Sequence, residues 1–253
     1  MANTRVILFD IETLPILSEA LKVWPQLSNY PGQTLKAQIC SVINVGWKVL
    51  DEKKTECVNA WDLKGWKKSV NDDKELCKIV YDVLKDADVV ITHNGRRFDW
   101  RFIQTRLLIH GLPILPKIIH KDTCQEAKKS LFAFNNRLNT LADCFSIRKK
   151  VEHEGWDLWV KVHGRDPKAM ALMTKYCKGD VLVLEDLFKV MRPLITGMPN
   201  QNQFTEDACC PKCGSEKLHA RGFAATKDKI LRRMQCMDCK GWATIHPKGV
   251  KEL

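Results

Sequence analysis

No stretch of this 253-residue chain approaches the roughly 18 consecutive apolar residues that a membrane-spanning helix requires, so no membrane partner is expected. Met1 to Ile16 carries Asp10 and Glu12 inside its apolar stretch, and no secretory leader is expected there. Internal repeats and low-complexity segments are missing, which excludes a repeat array. Acidic residues are in deficit: 30 Asp and Glu face 41 Lys and Arg, leaving a formal charge of +11. With 45% hydrophobic residues the chain can build one full α/β domain and a small appendage, and its charge suggests an acidic partner, nucleic acid first.

The eleven cysteines are an odd number without a leader, so disulfides are not expected and a reducing cytoplasm, or a host's cytoplasm for a viral protein, is the expected compartment. Cys40, Cys57, Cys77, Cys124, Cys144 and Cys177 stand apart among apolar neighbours and read as core packing. Cys209, Cys210, Cys213, Cys236 and Cys239 crowd the C-terminal fifth and need another explanation. Between the groups, Arg192 to Asp207 carries Pro193, Gly197, Pro199 and a polar run from Asn200 to Gln203. The expected division is a domain at 1–195, a linker at 196–206 and a small unit at 207–253.

In the larger part, strands are expected at Arg5 to Ile11, Ile39 to Val49 and Thr55 to Trp61, before any long helix. A helix at Asn71 to Lys85, a strand at Asp88 to Thr92, a helix at Phe98 to His110 and a strand at Lys117 to His120 then alternate. A meander followed by crossovers implies a mixed sheet flanked by helices. A last helix is bounded by Asp166 as cap, Pro167 in the first turn and Pro193 beyond its end.

Four carboxylates and a tyrosine stand out. Asp10 and Glu12 are two apart on the first strand, so both project from one face, at a cost that a cation between them would relieve. The alternative is a strand that stops at Phe9, leaving both acids solvated. Asp99 follows the Asn94-Gly95 turn after a parallel strand and arrives at the same sheet edge, unless it merely caps the next helix. Asp180 shares a helical stripe with Val183, Leu184 and Leu187 and faces the sheet, with Tyr176 one turn earlier. Gly179 between them costs roughly 1 kcal/mol in a helix interior, which a close approach by another backbone or a substrate would rationalise.

The segments Phe9-Asp10-Ile11-Glu12-Thr13, His93-Asn94-Gly95-Arg96-Arg97-Phe98-Asp99 and Tyr176-Cys177-Lys178-Gly179-Asp180 resemble the three motifs of the DEDD 3′ to 5′ exonuclease superfamily. The tyrosine four residues before the last acid resembles the DEDDy branch, which includes polymerase proofreading domains and RNase D. The resemblance spans about Val6 to Met191 and is closest to stand-alone exonuclease domains. It implies a ribonuclease-H-like α/β fold with a mixed five-stranded sheet, and two catalytic Mg²⁺ or Mn²⁺ ions. By the same resemblance Asp10 bridges both ions, Glu12 and Asp180 serve the one that activates water, Asp99 holds the second, and Tyr176 orients the water. Asn94 and Phe98 match positions that contact the 3′-terminal nucleotide, and Leu14 an apolar contact to the terminal base. Trp100 is a candidate for stacking, although packing is its commoner role. Arg96, Arg97, Arg101, Arg148, Lys149 and Lys150 are candidate phosphate contacts.

Cys210-Pro-Lys-Cys213 and Cys236-Met-Asp-Cys239 form two C-x-x-C pairs. The 22 residues between them slightly exceed the spacing common in such sites, roughly 15–20, and accommodate a hairpin. Four thiolates suit one structural Zn²⁺, and so short a tail needs the metal in order to fold. The unit looks like a zinc ribbon, with strands near Leu218 to Ala224, Ile230 to Gln235 and Gly241 to His246. Cys209, His219 and His246 are alternative ligands. From Glu206 onward ten Lys and Arg face six acids, and Arg221, Lys227, Lys229, Arg232 and Arg233, with Phe223 and Trp242, are candidates to track a strand and stack on its bases. Packing on the nuclease or on a protein is the alternative.

The expected function is metal-dependent 3′ to 5′ exonuclease action on single-stranded nucleic acid, DNA favoured over RNA, since stand-alone DEDDy domains with ribbons look like phage or DNA-repair enzymes. A replication or repair protein is a possible partner of unknown identity. The rival readings are a catalytically silent nucleic-acid-binding or assembly module and a structure-selective endonuclease on the same fold.

Overall fold

The computed structural model describes residues 4–14, 40–205, 207–225, 227 and 229–245. Ile39 and His246, each at the end of an expected strand, lie outside the described residues, and so does His246 as a possible zinc ligand. Strands β1 (Val6–Leu14), β2 (Ser41–Val49) and β3 (Glu56–Asn59) form an antiparallel meander. Helices α1 (Lys64–Lys68) and α2 (Lys74–Leu84) lead to β4 (Val89–Thr92), and α3 (Asp99–Ile109) leads to β5 (Ile119–Asp122). Both β4 and β5 run parallel to β1, and the sheet order is β3-β2-β1-β4-β5. Helices α4 (Thr123–Ser130), α5 (Leu138–Cys144), α6 (Trp156–His163) and α7 (Pro167–Met191) complete the larger unit. This is the expected mixed five-stranded, ribonuclease-H-like sheet. Among the described residues no helix is long and apolar enough to cross a membrane.

The period of β1 sorts the core. Ile7, Phe9 and Ile11 pack with residues of α2, α3 and α6, while Val6 and Leu8 pack against Val181, Leu184, Leu187 and Phe188 of α7. Even-numbered positions therefore face α7, and Asp10 and Glu12 inherit that face. β1 continues to Leu14, so the alternative of a strand ending at Phe9 fails. Its pairing with β2 is irregular between Glu12 and Thr13. Asp10 lies opposite Gly46, where a Cβ would come within 2.9 Å of both Cys177 Sγ and Val181 Cγ2. A side chain at 46 would force Cys177 and Val181 of α7 to shift.

α7 begins as expected: the Asp166 carboxylate accepts from Ala169 N–H at 2.9 Å, and Pro167 occupies the first turn. Within the protein the close approach at Gly179 comes from the Val151 side chain, whose Cγ2 would lie 2.9 Å from an added Cβ, and not from a backbone. The isolated cysteines divide: Cys77, Cys124 and Cys177 are buried, Cys40 and Cys57 are partly covered, and Cys144 is exposed, which removes it from the core.

The C-terminal sheet has the order β6-β7-β8, with β6 (Leu218–Ala225), β7 (Ile230–Cys236) and β8 (Trp242–Ile245) antiparallel. The segment expected as a linker contains a 3-10 turn, Gln201–Gln203, and binds the first cysteine knuckle. Gln201 N–H donates to Pro211 O at 3.0 Å, Cys209 N–H to Asn202 Oδ1 at 3.0 Å, and Arg192 Nε to Lys212 O at 2.9 Å.

Candidate active site

Asp10 and Glu12 from β1 and Asp180 from α7 each present a carboxylate oxygen, and the three oxygens lie within 4.8 Å of one another. Asp99 enters from the first turn of α3. It lies within that helix and not at the position before it: Phe98 precedes the first turn without any side-chain cap, and the buried Asp99 carboxylate lies near the backbone of Ile11 and its own, which favour its charged form. The turn that delivers it is built by residues outside the acidic set. Asn94 adopts a left-handed conformation (φ 63°), and the Asp122 carboxylate accepts from Asn94 N–H at 2.8 Å and Arg96 N–H at 3.2 Å while also capping α4. A Cβ at Gly95 would lie 2.6 Å from Asp99 Oδ2, so only glycine leaves room for the acid.

Burial and mutual repulsion hold the carboxyls protonated above their usual range. Asp10 is raised well above it by burial and then by Glu12, Asp99 and Asp180. Glu12 is pushed up to about 8 by burial and by Asp180, and Asp99 to about 7, chiefly by burial. Asp180 is raised by burial and pulled back by Lys150. Lys150, considered from sequence only as a phosphate contact, reaches into the cluster: its Nζ is 2.5 Å from Asp180 Oδ2, 2.8 Å from the Tyr176 hydroxyl and 4.7 Å from the Tyr176 ring centre. Nothing in the sequence pattern marked it, because it comes from a loop segment without periodicity.

The cluster fits divalent metal. Four carboxyls that resist ionisation together need added positive charge, and the other Asp180 oxygen, Oδ1, is buried without a hydrogen-bond partner. Carboxylate oxygens are the hard donors that Mg²⁺ and Mn²⁺ take.

Tyr176 is boxed by His153 (ring centres 4.6 Å apart, 79° between planes) and Trp159 (6.2 Å, 76°). Burial, followed by Asp180, Glu12 and Asp10, drives its phenol pKa far upward. The hydroxyl therefore stays protonated, as an orienting donor suited to hold a water rather than to deprotonate one.

The acids open onto a cleft of about 590 Å³, lined also by His93, Asn94, Phe98, Lys128, Asn136 and Arg137. Phe98 is half exposed in the cleft and packs on Phe102, so it is not a core residue. Trp100 packs against His120 inside the fold, with ring centres 5.1 Å apart. Leu14 is buried in the core at the end of β1, and Ile11 takes its place beside the cleft. Arg96, Arg97, Arg101 and Lys149 are exposed, whereas Arg148 pairs with Asp186 at 3.4 Å. Sequence reasoning missed the loop between α4 and α5. It carries Phe132 and Phe134, both fully exposed, and is tied to the second motif by His93, whose ring nitrogens meet Thr123 Oγ1 and the Asn136 carbonyl at 2.9 Å each. Two exposed phenylalanines two residues apart were the available signal.

In the C-terminal unit the sulfurs of Cys210, Cys213, Cys236 and Cys239 lie within 4.8 Å of one another, with Cys210–Cys239 at 3.7 Å and Cys213–Cys236 at 3.6 Å. A tetrahedral zinc site with Zn–S near ~2.3 Å requires sulfurs about 3.8 Å apart, so the four thiols fit Zn²⁺. Cys209 points elsewhere, 3.3 Å from Thr205 Oγ1, and His219 is exposed on β6.

Residues 33–192 match the RNase_H_2 model of the RNase_H superfamily, and the chain belongs to that superfamily. The match contains Asp99, Tyr176 and Asp180 and begins after the strand that carries Asp10 and Glu12. The fold resembles part of a family B DNA polymerase from the hyperthermophilic archaeon Pyrobaculum calidifontis, with a TM-score of 0.55 and 19% identity, over 76% of this chain and 25% of that one. A 45-residue segment is 40% identical to a DNA polymerase of Methanocaldococcus jannaschii, covering 18% of this chain and 3% of that protein. The chain thus spans a quarter or less of the length of these relatives. Its fold is that of the ribonuclease-H-like nucleases.

Proposed function

We propose that the protein is a DEDDy-type, metal-dependent 3′ to 5′ exonuclease that removes nucleoside 5′-monophosphates from single-stranded 3′ ends, preferring DNA to RNA. The observation that carries this reading is the convergence of Asp10, Glu12 and Asp180, with Tyr176 and Asp99, at the floor of one cleft. In the reaction a water oxygen bonds to the terminal phosphorus, and the bond from that phosphorus to O3′ of the preceding nucleotide breaks. Two Mg²⁺ or Mn²⁺ ions, bound by Asp10, Glu12, Asp99 and Asp180, would stabilise charge on the attacking and departing oxygens.

Tyr176, held neutral, aligns the water. Lys150 keeps the phenol in place and offsets charge on Asp180 while the acids are otherwise uncompensated. Asn94 and Phe98 meet the terminal nucleotide, and Lys128 and Arg137, which line the same cleft, meet its phosphates. One Zn²⁺ on Cys210, Cys213, Cys236 and Cys239 holds the C-terminal ribbon. We place the two functional units at 1–195 and 207–253, joined by 196–206. The DNA preference is supported by the polymerase relatives, and a reducing compartment, the cytoplasm, suits so many thiols.

An end-labelled single-stranded oligonucleotide with Mg²⁺ or Mn²⁺ tests the reading on matched DNA and RNA. Stepwise laddering from the 3′ end, abolished by Asp10→Ala, is expected. No laddering by the parent chain, or undiminished laddering by the variant, would refute it. Cleavage of circular single strands would replace it with an endonuclease, and tight binding insensitive to chelator without hydrolysis with a silent module.

A further inference from the structure

The basic and aromatic residues of the ribbon, a single group in the sequence, fall on two faces of its sheet. Cross-strand partners share a face, and β7 pairs Gln235 with both His219 and Trp242, and Arg233 with Thr244. Arg221 joins the same side: its Nε donates to Gln235 Oε1 at 3.3 Å, while Arg233 Nε donates to the Arg221 carbonyl at 3.1 Å. The Arg233 guanidinium lies 5.7 Å from the Trp242 ring centre, and the indole is half exposed. Phe223 and Arg232, paired with each other, occupy the reverse face beside Ile230.

The Trp242 face is cationic without an acid of its own among the described residues. Asp238, a described acid of the unit, sits at the cysteine knuckle, where Ser215 and Lys217 engage it. A flat, exposed indole flanked by two guanidiniums provides a surface to stack on and charges to meet a backbone, the combination that binds single strands with little sequence preference. A duplex would not offer its base faces to Trp242, whereas a single strand offers a base face to the indole and phosphates to both arginines in every repeat.

The ribbon meets the larger unit away from the acids. It packs on Arg192 just past the end of α7, and Cys213 and Gly214 border a concavity with Thr4, Arg5 and Val6 at the start of β1. From Asp180 to Arg192 the helix rises about 18 Å, so a strand reaching from the acids to the ribbon needs at least about five nucleotides at a stacked spacing.

We propose that the face formed by His219, Arg221, Arg233, Trp242 and Thr244 is a second binding site for single-stranded DNA, holding the strand upstream of the 3′ end under hydrolysis. This rests on the nuclease reading for its biological sense, and the binding experiment is independent of hydrolysis. The zinc-loaded full chain carrying Asp10→Ala, without added Mg²⁺ or Mn²⁺, is titrated with fluorescent single-stranded DNA of about 20 and about 4 nucleotides, lengths that do and do not span the distance.

Adding Trp242→Ala weakens binding of the longer strand about tenfold or more, and the loss on the short one is at least several-fold smaller. Arg233→Gln lowers the salt slope by about 0.7. Thr244→Arg, a gain-of-charge change that does not depend on a damaged ribbon, tightens binding of the longer strand, while Phe223→Ala on the reverse face leaves it unchanged. Zinc content of one per chain confirms that each variant ribbon is folded. Equal losses for both lengths, no effect of Trp242→Ala together with no gain from Thr244→Arg, or tighter binding of matched RNA or duplex would each overturn the proposal. If the chain does not hydrolyse DNA but these dependences hold, the nuclease reading fails and this site stands.

Discussion

Replacing Glu12 by glutamine should stabilise the protein when no Mg²⁺ or Mn²⁺ is present, although it removes a proposed metal ligand. In the folded chain the carboxyl titrates at about 8, against an ordinary value of 4.5, because burial and the neighbouring Asp180 disfavour its charge. An acid whose folded pKa is raised binds its proton more tightly folded than unfolded. The metal-free protein therefore loses stability as pH climbs from about 4.5 to about 8, and the loss is complete above that range. A shift of this size on an isolated group is worth about 5 kcal/mol. Asp10, Asp99 and Asp180 share the same field, so one neutral isostere recovers only part, about 2 kcal/mol at pH 8. For a unit of this size that is a rise in Tm of about 4–8 °C. Calorimetry of the zinc-loaded chain at pH 5 and pH 8, with and without Mn²⁺, tests it: the gain should appear at pH 8 and vanish near pH 5. Added Mn²⁺ should raise the Tm of the parent far more than that of the variant. An equal gain at both pH values, or a variant less stable than the parent at pH 8 without metal, would refute the electrostatic reasoning.

Lys150→Met should act in the opposite sense, lowering metal-free stability by about 3 kcal/mol, because Asp180 loses its buried partner; a smaller deficit in saturating Mn²⁺, read by the same calorimetry, checks that the two cations are interchangeable. Phe132→Ala with Phe134→Ala should leave Tm within about 1 °C, since neither ring is buried, and raise KM for single-stranded DNA about tenfold or more in a steady-state assay. Cys213→Ser should release zinc, measured by metal analysis, and remove the unfolding transition of the ribbon while leaving that of residues 1–195 in place.

The acidic centre was legible because it rests on local periodicities. Spacing of two on a strand put Asp10 and Glu12 on one face, and a helical stripe put Tyr176 and Asp180 on another, so the fold had only to bring two faces together. What stayed hidden depends on partners distant in sequence. Lys150 and Val151 occupy a loop with no period, yet one meets Asp180 and Tyr176 and the other sets the need for Gly179. Asp122, beyond the expected end of its strand, organises both the second motif and a helix start. The short helices α4, α5 and α6 are a few turns each and hold their places by packing, so their own residues carry little signal. Leu14 was assigned by resemblance alone, and its burial removes it from the cleft.

Gly46 has a bearing on how such proteins should be compared. The halves of the acidic centre come from positions more than 160 residues apart, and where β2 passes beneath α7 their spacing depends on a residue with no side chain. An alanine at 46 would change none of the carboxylates and break no motif. It would still press on Cys177 and Val181, the residues of α7 that flank the turn carrying Asp180. A change of one methyl group there leaves every acid in the sequence while altering the contact that sets their spacing, so a list of acids alone does not describe the centre. Inheritance of activity has to be judged at the contact between helix and strand as well as at the acids.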